Sequence, residues 1–276
     1  MTMNIWSAWL QGRNNAPEHV QKIFSLWEKL NPNYTLNVIE ANEADEIISN
    51  LGIKQAKISP QVKTNLVRTH LLNKHGGVWV DSTLLPTKPL DSWLFPDLFN
   101  EGFFAFHSSG APELVLQNWF LCSEMNHPII DEWLTTYVDY FQSPRYYPTW
   151  KRAIYHRKII DFIKHQRALA RADYLYFVEP ERGRECSFYP YAAHNYNLKY
   201  LLNNRNDLAN IWERVPARYS TLPSMIGQWS KDPETPTDNF IELALEAIPL
   251  SPVHKLNHRD KRFNLLIDKA IEAKLL

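Results

Sequence analysis

Lys74–Thr83 reads KHGGVWVDST, and the α/β character of the chain can be argued from it. Gly76 and Gly77 predict the stop of a helix. Val78, Trp79 and Val80 are a short apolar run, the pattern of a buried strand. The run ends in Asp81, Ser82 and Thr83, so the strand delivers one carboxylate and two hydroxyls at its carboxyl end. In open α/β sheets ligands bind outside the carboxyl ends of strands, which makes this end the expected meeting point with substrate.

Upstream, Pro60–His75 has the stripe Val62, Leu66, Val67, Leu71 and Leu72 of an amphipathic helix. Asn65 and Arg68 stand three apart and share a face of it. At the start of the chain, Ile5–Leu10 reads as a strand with Trp6 and Trp9 near its end. A turn at Asn14–Pro17 leads to a helix carrying Val20, Ile23, Phe24 and Trp27, stopped by Asn31-Pro32-Asn33. Tyr34–Ile39 is a second strand, so the chain opens strand–helix–strand, as nucleotide-binding α/β domains do. Asn42 is the expected cap of a short acidic helix ending near Gly52.

Downstream of the central stretch, Pro86 and Pro89 mark a loop. Gly102–His107, Asn118–Ser123 and Tyr174–Val178 read as strands. Pro128–Phe141, Tyr191–Asn203, Asp207–Val215 and Asn239–Ala247 read as helices, 230–238 as a polar loop, and a last helix closes the chain. Arg145–Arg171 is rich in Lys, Arg and His with aromatics between them. It is either a solvated helical excursion or a lid or surface for an acidic partner such as anionic lipid headgroups.

The 276 residues are 45% hydrophobic and 22% charged, which is enough apolar mass for one large α/β domain over 1–276. Thirty Lys and Arg balance thirty Asp and Glu. No global field draws nucleic acid or an anionic membrane, and no nucleic-acid motif appears. Cys122 and Cys186 make no metal-ligand spacing and read as reduced thiols. MTMNIWSAWLQG lacks a basic leader with a long apolar core, and no run approaches the roughly 20 apolar residues of a membrane span. The expected location is cytoplasmic. Ten Trp and thirteen Tyr offer rings that stack on sugars or bases. No GxSxG, HExxH, Walker lysine loop or GxGxxG is present, which argues against the commonest hydrolase, zinc-protease, P-loop and dinucleotide-binding readings.

Asp81 with Thr83 offers oxygen ligands to a hard divalent cation, although strand ends also carry Asp for turns. Arg68 is placed to pair with a phosphate or with Asp81 itself. Trp9 either stacks on a base or packs in the core. His254, Lys255, His258 and Lys261 form a basic cluster that could hold a leaving phosphate if the end of the chain folds back over the site; otherwise it is surface charge.

Taken together, these segments resemble the bacterial capsular polysaccharide synthesis glycosyltransferases. That group is similar to the wider set of DXD sugar transferases that includes yeast mannosyltransferases and, more remotely, the clostridial glucosylating toxins. The resemblance runs through IWSAWLQGRNNAPEHV, KTNLVRTHLLNKHGGVWVDST, NWFLCSEMNHPI, FYPYAAHNYNLKYLL with IWERVP, and VHKLNHRDKR. It implies a GT-A-like fold with a central mixed sheet and added helices. It also implies a nucleotide-sugar donor, UDP-linked, a divalent metal (Mn²⁺ or Mg²⁺), and transfer of a hexose to a glycan hydroxyl with retention. By position, Trp9 matches the base-stacking tryptophan, and Asn65 and Arg68 match the Asp and Arg that contact donor sugar and ribose. Trp79 and Asp81 match the aromatic and first Asp of the DXD block. Ser82 and Thr83 complete that block, with Thr83 in place of its second Asp. His254 to Lys261 matches the segment that closes on the diphosphate, with Asp81, Thr83 and His258 as the implied metal ligands. His194 lies where the family carries a histidine near the acceptor, and joins Asp81 and Arg68 as a candidate catalytic residue. Peripheral contact with the inner face of the plasma membrane or with capsule assembly machinery is implied too. The alternative, motivated by Asn65 and Thr83, is a non-catalytic member that binds glycan or nucleotide sugar within an assembly complex.

Overall fold

The computed structural model describes residues 3–54, 58–95, 97–110, 114–144, 151–186, 188–232 and 234–276, with backbone alone for 151–155. Residues 145–150 of the basic stretch and Pro233 of the polar loop lie outside the described residues. In chain order the elements are β1 (Met3–Ala8), α1 (Glu18–Leu30), β2 (Tyr34–Ile39), α2 (Ala41–Asn50), α3 (Pro60–His75), β3 (Gly77–Val80) and β4 (Leu84–Pro86). There follow β5 (Phe103–His107), β6 (Leu116–Ser123), α4 (Pro128–Gln142), α5 (Lys151–Ala170), α6 (Ala193–Asn204) and α7 (Asn206–Arg214). The chain continues through α8 (Thr221–Trp229), α9 (Thr237–Ala247), β7 (Val253–Lys255) and α10 (Arg262–Glu272).

The architecture is α/β around a mixed five-stranded sheet of order β2-β1-β3-β6-β5, as the sequence leads one to expect. β1 runs parallel to β2 and β3, whereas β3–β6 and β6–β5 are antiparallel. Trp6 pairs with Trp79. Trp9 and Asp81 therefore emerge just past the carboxyl ends of two neighbouring strands. A separate two-stranded ribbon joins β4 to β7 antiparallel, with Leu84 opposite Lys255.

The helix-to-strand switch at Gly76-Gly77 has a steric cause. Gly77 has φ +102°, and a Cβ there would stand 2.4 Å from the Asn4 carbonyl oxygen of β1. Only glycine lets β3 lie this close in this conformation. The Trp6 indole N–H closes the junction on the Gly76 carbonyl at 2.9 Å. α3 begins at a Ser59 cap, whose hydroxyl accepts from the Val62 N–H at 3.3 Å, with Pro60 in the first turn. Every residue of β3 is buried, as a strand covered on both faces requires.

Several expectations need correction. Tyr174–Val178 makes turns rather than a strand. Gly183 folds onto Tyr176, its N–H donating to the Tyr176 carbonyl at 2.7 Å, so the backbone bonds of this segment are made locally. The cap of α2 is Glu40, not Asn42: the Glu43 carboxylate accepts from the Glu40 N–H at 3.0 Å in a capping box. The three-residue strands β4 and β7 and the helix α8 are additions to the expected elements.

Candidate active site

The turn after β3 fixes Asp81 by its backbone. Its N–H donates to the Trp119 carbonyl of β6 at 2.9 Å, and its carbonyl accepts from the Leu84 N–H at 2.8 Å. The carboxylate sits between two cations. Oδ1 accepts from the Trp79 indole at 3.1 Å and lies 3.2 Å from Arg68 Nη2. Oδ2 accepts from Lys255 Nζ at 2.9 Å, and the same ammonium donates to Thr83 Oγ1 at 2.6 Å. Two cations around one carboxylate leave a net positive cluster, which suits an anionic ligand.

Arg68 reaches the cluster from α3. Its side chain is 6% exposed, its guanidinium lies over the Trp79 ring at 4.9 Å, and Nη1 donates to the Asn118 carbonyl at the start of β6. Burial pushes the Arg68 pKa down, with Asp81 the chief opposing influence. Burial alone would raise the Asp81 carboxyl, but Lys255 and then Arg68 more than reverse this and hold it at about 2. Asp81 is thus a fixed anion, a quarter exposed.

The other expected residues divide. Asn65 is buried one turn before Arg68 and hydrogen-bonds the Tyr137 hydroxyl. Trp9 packs half-buried against Val20 and Phe24, with its ring edge-on to His258 at 6.2 Å. Ser82 is half-buried in the turn. Lys255 is the member of the C-terminal cluster that meets Asp81. His254, its neighbour in β7, turns the opposite way, as successive strand residues do. It is fully buried with Nε2 3.0 Å from the Ile248 carbonyl, so the expectation that it faces a diphosphate does not hold. His258 and Lys261 are exposed.

His194 is wholly buried rather than open to an acceptor. It stacks on Trp133 at 3.9 Å, and Nε2 lies 2.9 Å from Thr69 Oγ1, next to Arg68 on α3. Burial, aided by Arg68, drives its pKa well below the ordinary histidine value, so it is neutral. Two residues to which the sequence reading gave no place in the site matter here. Asn195 accepts from the Val115 and Leu116 N–H groups at 3.0 and 3.2 Å and donates to Asn118 Oδ1 at 3.1 Å, fixing the start of β6 that holds Arg68. Tyr191, 88% exposed, lies within electrostatic reach of Arg68.

The expected divalent ion does not fit this arrangement. Asp81 Oδ2 and Thr83 Oγ1 do converge on one point, but Lys255 Nζ stands there. His258 contacts Trp9 instead. Among the described residues no group of three or more His, Cys, Asp and Glu gathers around a common centre.

Residues 1–168 match the family described as capsular polysaccharide synthesis protein. The chain is 27% identical to a glycosyltransferase, afumC, of Aspergillus fumigatus over 151 residues, 48% of this chain and 39% of that one. It is 30% identical to the initiation-specific alpha-1,6-mannosyltransferase of Candida albicans over 101 residues, 33% of this chain and 26% of that one. The chain thus spans between a quarter and two fifths of the length of these relatives. Among solved structures, the apo-form glycosyltransferase GlyE of Streptococcus pneumoniae superposes with a TM-score of 0.41 at 10% identity, covering 100% of this chain and 64% of that one. With 168 of its 276 residues matched, the chain belongs to the capsular polysaccharide synthesis protein family.

Proposed function

We propose that the protein is a glycosyltransferase. It moves a hexose from a nucleoside-diphosphate sugar, UDP-linked, to a hydroxyl of a surface or capsular glycan, with retention. The observation that carries this reading is the positive cluster of Arg68, Asp81 and Lys255 just past the carboxyl ends of β1 and β3. The names of the relatives, a glycosyltransferase and a mannosyltransferase, support it.

In the proposed reaction the C1–O bond to the diphosphate breaks, and its electron pair leaves with the phosphate oxygen. The acceptor hydroxyl bonds to C1, and its proton passes to the departing diphosphate. The charge that develops on the leaving group faces a preorganised cation pair, and a group of that kind typically supplies about 3–4 kcal/mol of transition-state stabilisation. Trp9 stacks on the base, and Arg68 with Asn65 orients the ribose and sugar. His194 is a positioning residue that buttresses Thr69 beside Arg68. For a retaining transfer, the bonding of Asp81 supports same-face displacement over a double displacement. With both oxygens tied to cations and the indole, and a pKa near 2, it is a poor nucleophile for a double displacement.

The test is incubation of the protein with labelled UDP-glucose, UDP-galactose, UDP-N-acetylglucosamine and GDP-mannose, with and without glycan acceptor. One donor should be consumed, and Asp81→Asn should lower its turnover by about a hundredfold or more. Consumption of none, or an unimpaired variant, sinks the reading.

A further inference from the structure

Lys255 is built into its position from two sides. The β4–β7 ribbon pairs it with Leu84, and the following Leu256 N–H donates to the Thr83 carbonyl at 2.9 Å, tying its backbone to the turn that holds Asp81. From the other side Gly227 of α8 presses on its carbonyl, so that a Cβ on Gly227 would stand only 2.1 Å from that oxygen. The ammonium so delivered bridges Asp81 Oδ2 and Thr83 Oγ1, the two oxygens a hard metal would use. A divalent ion at the same point would meet a like charge at contact distance. Thr83, unlike a second carboxylate, adds no negative charge, so the oxygens match a monovalent cation.

We propose that the Lys255 ammonium is the resident cation for the leaving diphosphate, so that sugar transfer proceeds without a divalent metal. The inference rests on the glycosyltransferase reading. As the C1–O bond breaks, the electron pair collects on the diphosphate oxygen beside Lys255 and Arg68, and the acceptor proton neutralises it after transfer. Turnover of whichever nucleotide sugar is consumed should be equal in EDTA and in Mn²⁺. Lys255→Met should lose about a hundredfold, and Lys255→Arg should recover part of that. The free protein titrated with Mn²⁺ alone, followed by the electron paramagnetic resonance of the ion, should show no Asp81-dependent binding, whereas Lys255→Ser should gain it. Loss of turnover in EDTA with recovery in Mn²⁺ overturns the proposal and leaves the transferase reading standing. If no donor is consumed, the transferase reading falls, and the Mn²⁺ titration still decides which cation the site holds: Asp81-dependent binding by the unaltered protein overturns Lys255 as the resident cation, and its absence there with its gain in Lys255→Ser upholds that part alone.

A second inference comes from α5, whose inward face carries a buried carboxylate as well as an alanine packed on Phe177 and Cys186. Asp161 and Ala168 are buried, and Asp161 is paired with Arg157 at 3.0 Å. Ile159, Ile160, Phe162 and Ile163 are 41%, 48%, 57% and 43% exposed. At about 100° per residue, Ile159 and Ile163 centre the outward face, opposite Asp161. Lys158 and Lys164 stand on its two flanks, and exposed Arg167 and Arg171 follow on the Lys164 side. An apolar stripe edged by cations lets the stripe enter a lipid interface while the lysines stay at headgroup level. We infer that this face docks on an anionic lipid bilayer. Vesicles of phosphatidylglycerol and phosphatidylcholine should sediment the full protein and pure phosphatidylcholine should not, with added salt weakening the binding. The triple variant Ile159→Ser, Phe162→Ser, Ile163→Ser should lower the bound fraction at least tenfold with an unchanged melting curve. Absence of binding to the anionic vesicles, or a self-associating protein that the same variant makes monomeric, overturns the inference.

Discussion

Arg68 and Ile159 both break the ordinary sorting of polar and apolar side chains, in opposite directions. Arg68 is buried among the strands, and Ile159 is 41% exposed on α5. The sheet end accepts a buried charge because everything around it is committed: the carboxylate of Asp81, the Trp79 face, the Asn118 carbonyl. On the outer face of α5 the imbalance is the reverse: apolar surface has been left out rather than a charge brought in. A buried ion pair costs more to break than to keep, whereas an exposed apolar side chain costs little to remove. The two regions should therefore answer mutation very differently.

The largest response is expected from Gly227→Ala. Alanine favours helix, but its Cβ would overlap the Lys255 carbonyl, and the overpacking should destabilise the fold by about 3 kcal/mol. It should also push Lys255 off Asp81, so turnover falls along with the urea midpoint. Next comes Asp81→Asn, which keeps the shape and strands Arg68 without its counter-charge. After discounting for the partial exposure of Asp81, the loss should be about 2 kcal/mol, seen as a Tm lower by roughly 3–7 °C.

Acid should act on this region in two stages. Burial holds His194 neutral, so stability is full above its ordinary value of 6.5 and declines as the pH falls below it. Asp81 has its pKa depressed from 3.8 to about 2, so its contribution is present above 3.8 and is lost as the pH falls toward 2. Denaturation midpoints followed against pH in the parent, His194→Gln and Asp81→Asn should assign each stage. The smallest response is expected on α5: Ile159→Ser with Phe162→Ser should change stability by less than about 0.5 kcal/mol. A larger loss would mean that this face supports the fold, and the contrast with Arg68 would collapse.

How far the sequence could be read follows from the range of the interactions. GGVWVDST was legible because glycines, apolar run and carboxylate act within ten residues, and the Asn65/Arg68 face was legible from helical spacing. Lys255 could be placed only within a basic cluster, since its partner Asp81 is 174 positions away. Alternation within VHK would have separated His254 from Lys255, had three residues containing a histidine been read as a strand. YLYFV has strand composition but turns back because Gly183, beyond the window of any periodicity, packs against Tyr176. TLPSMIGQW hid α8 behind Pro223 and Gly227. The proline falls in the first turn, where no N–H is needed, and the glycine is required by contact with β7.

The bond between Lys255 and Asp81 also sets an order in time. A ribosome adding about 5–20 residues per second needs roughly 10–35 s to pass from one to the other. Throughout that interval the nascent chain already contains Arg68 and Asp81 but lacks the ammonium that bridges Asp81 to Thr83. The anion site is therefore completed only once β7 has emerged, and folding intermediates that lack the β4–β7 ribbon carry a half-made, inactive pocket.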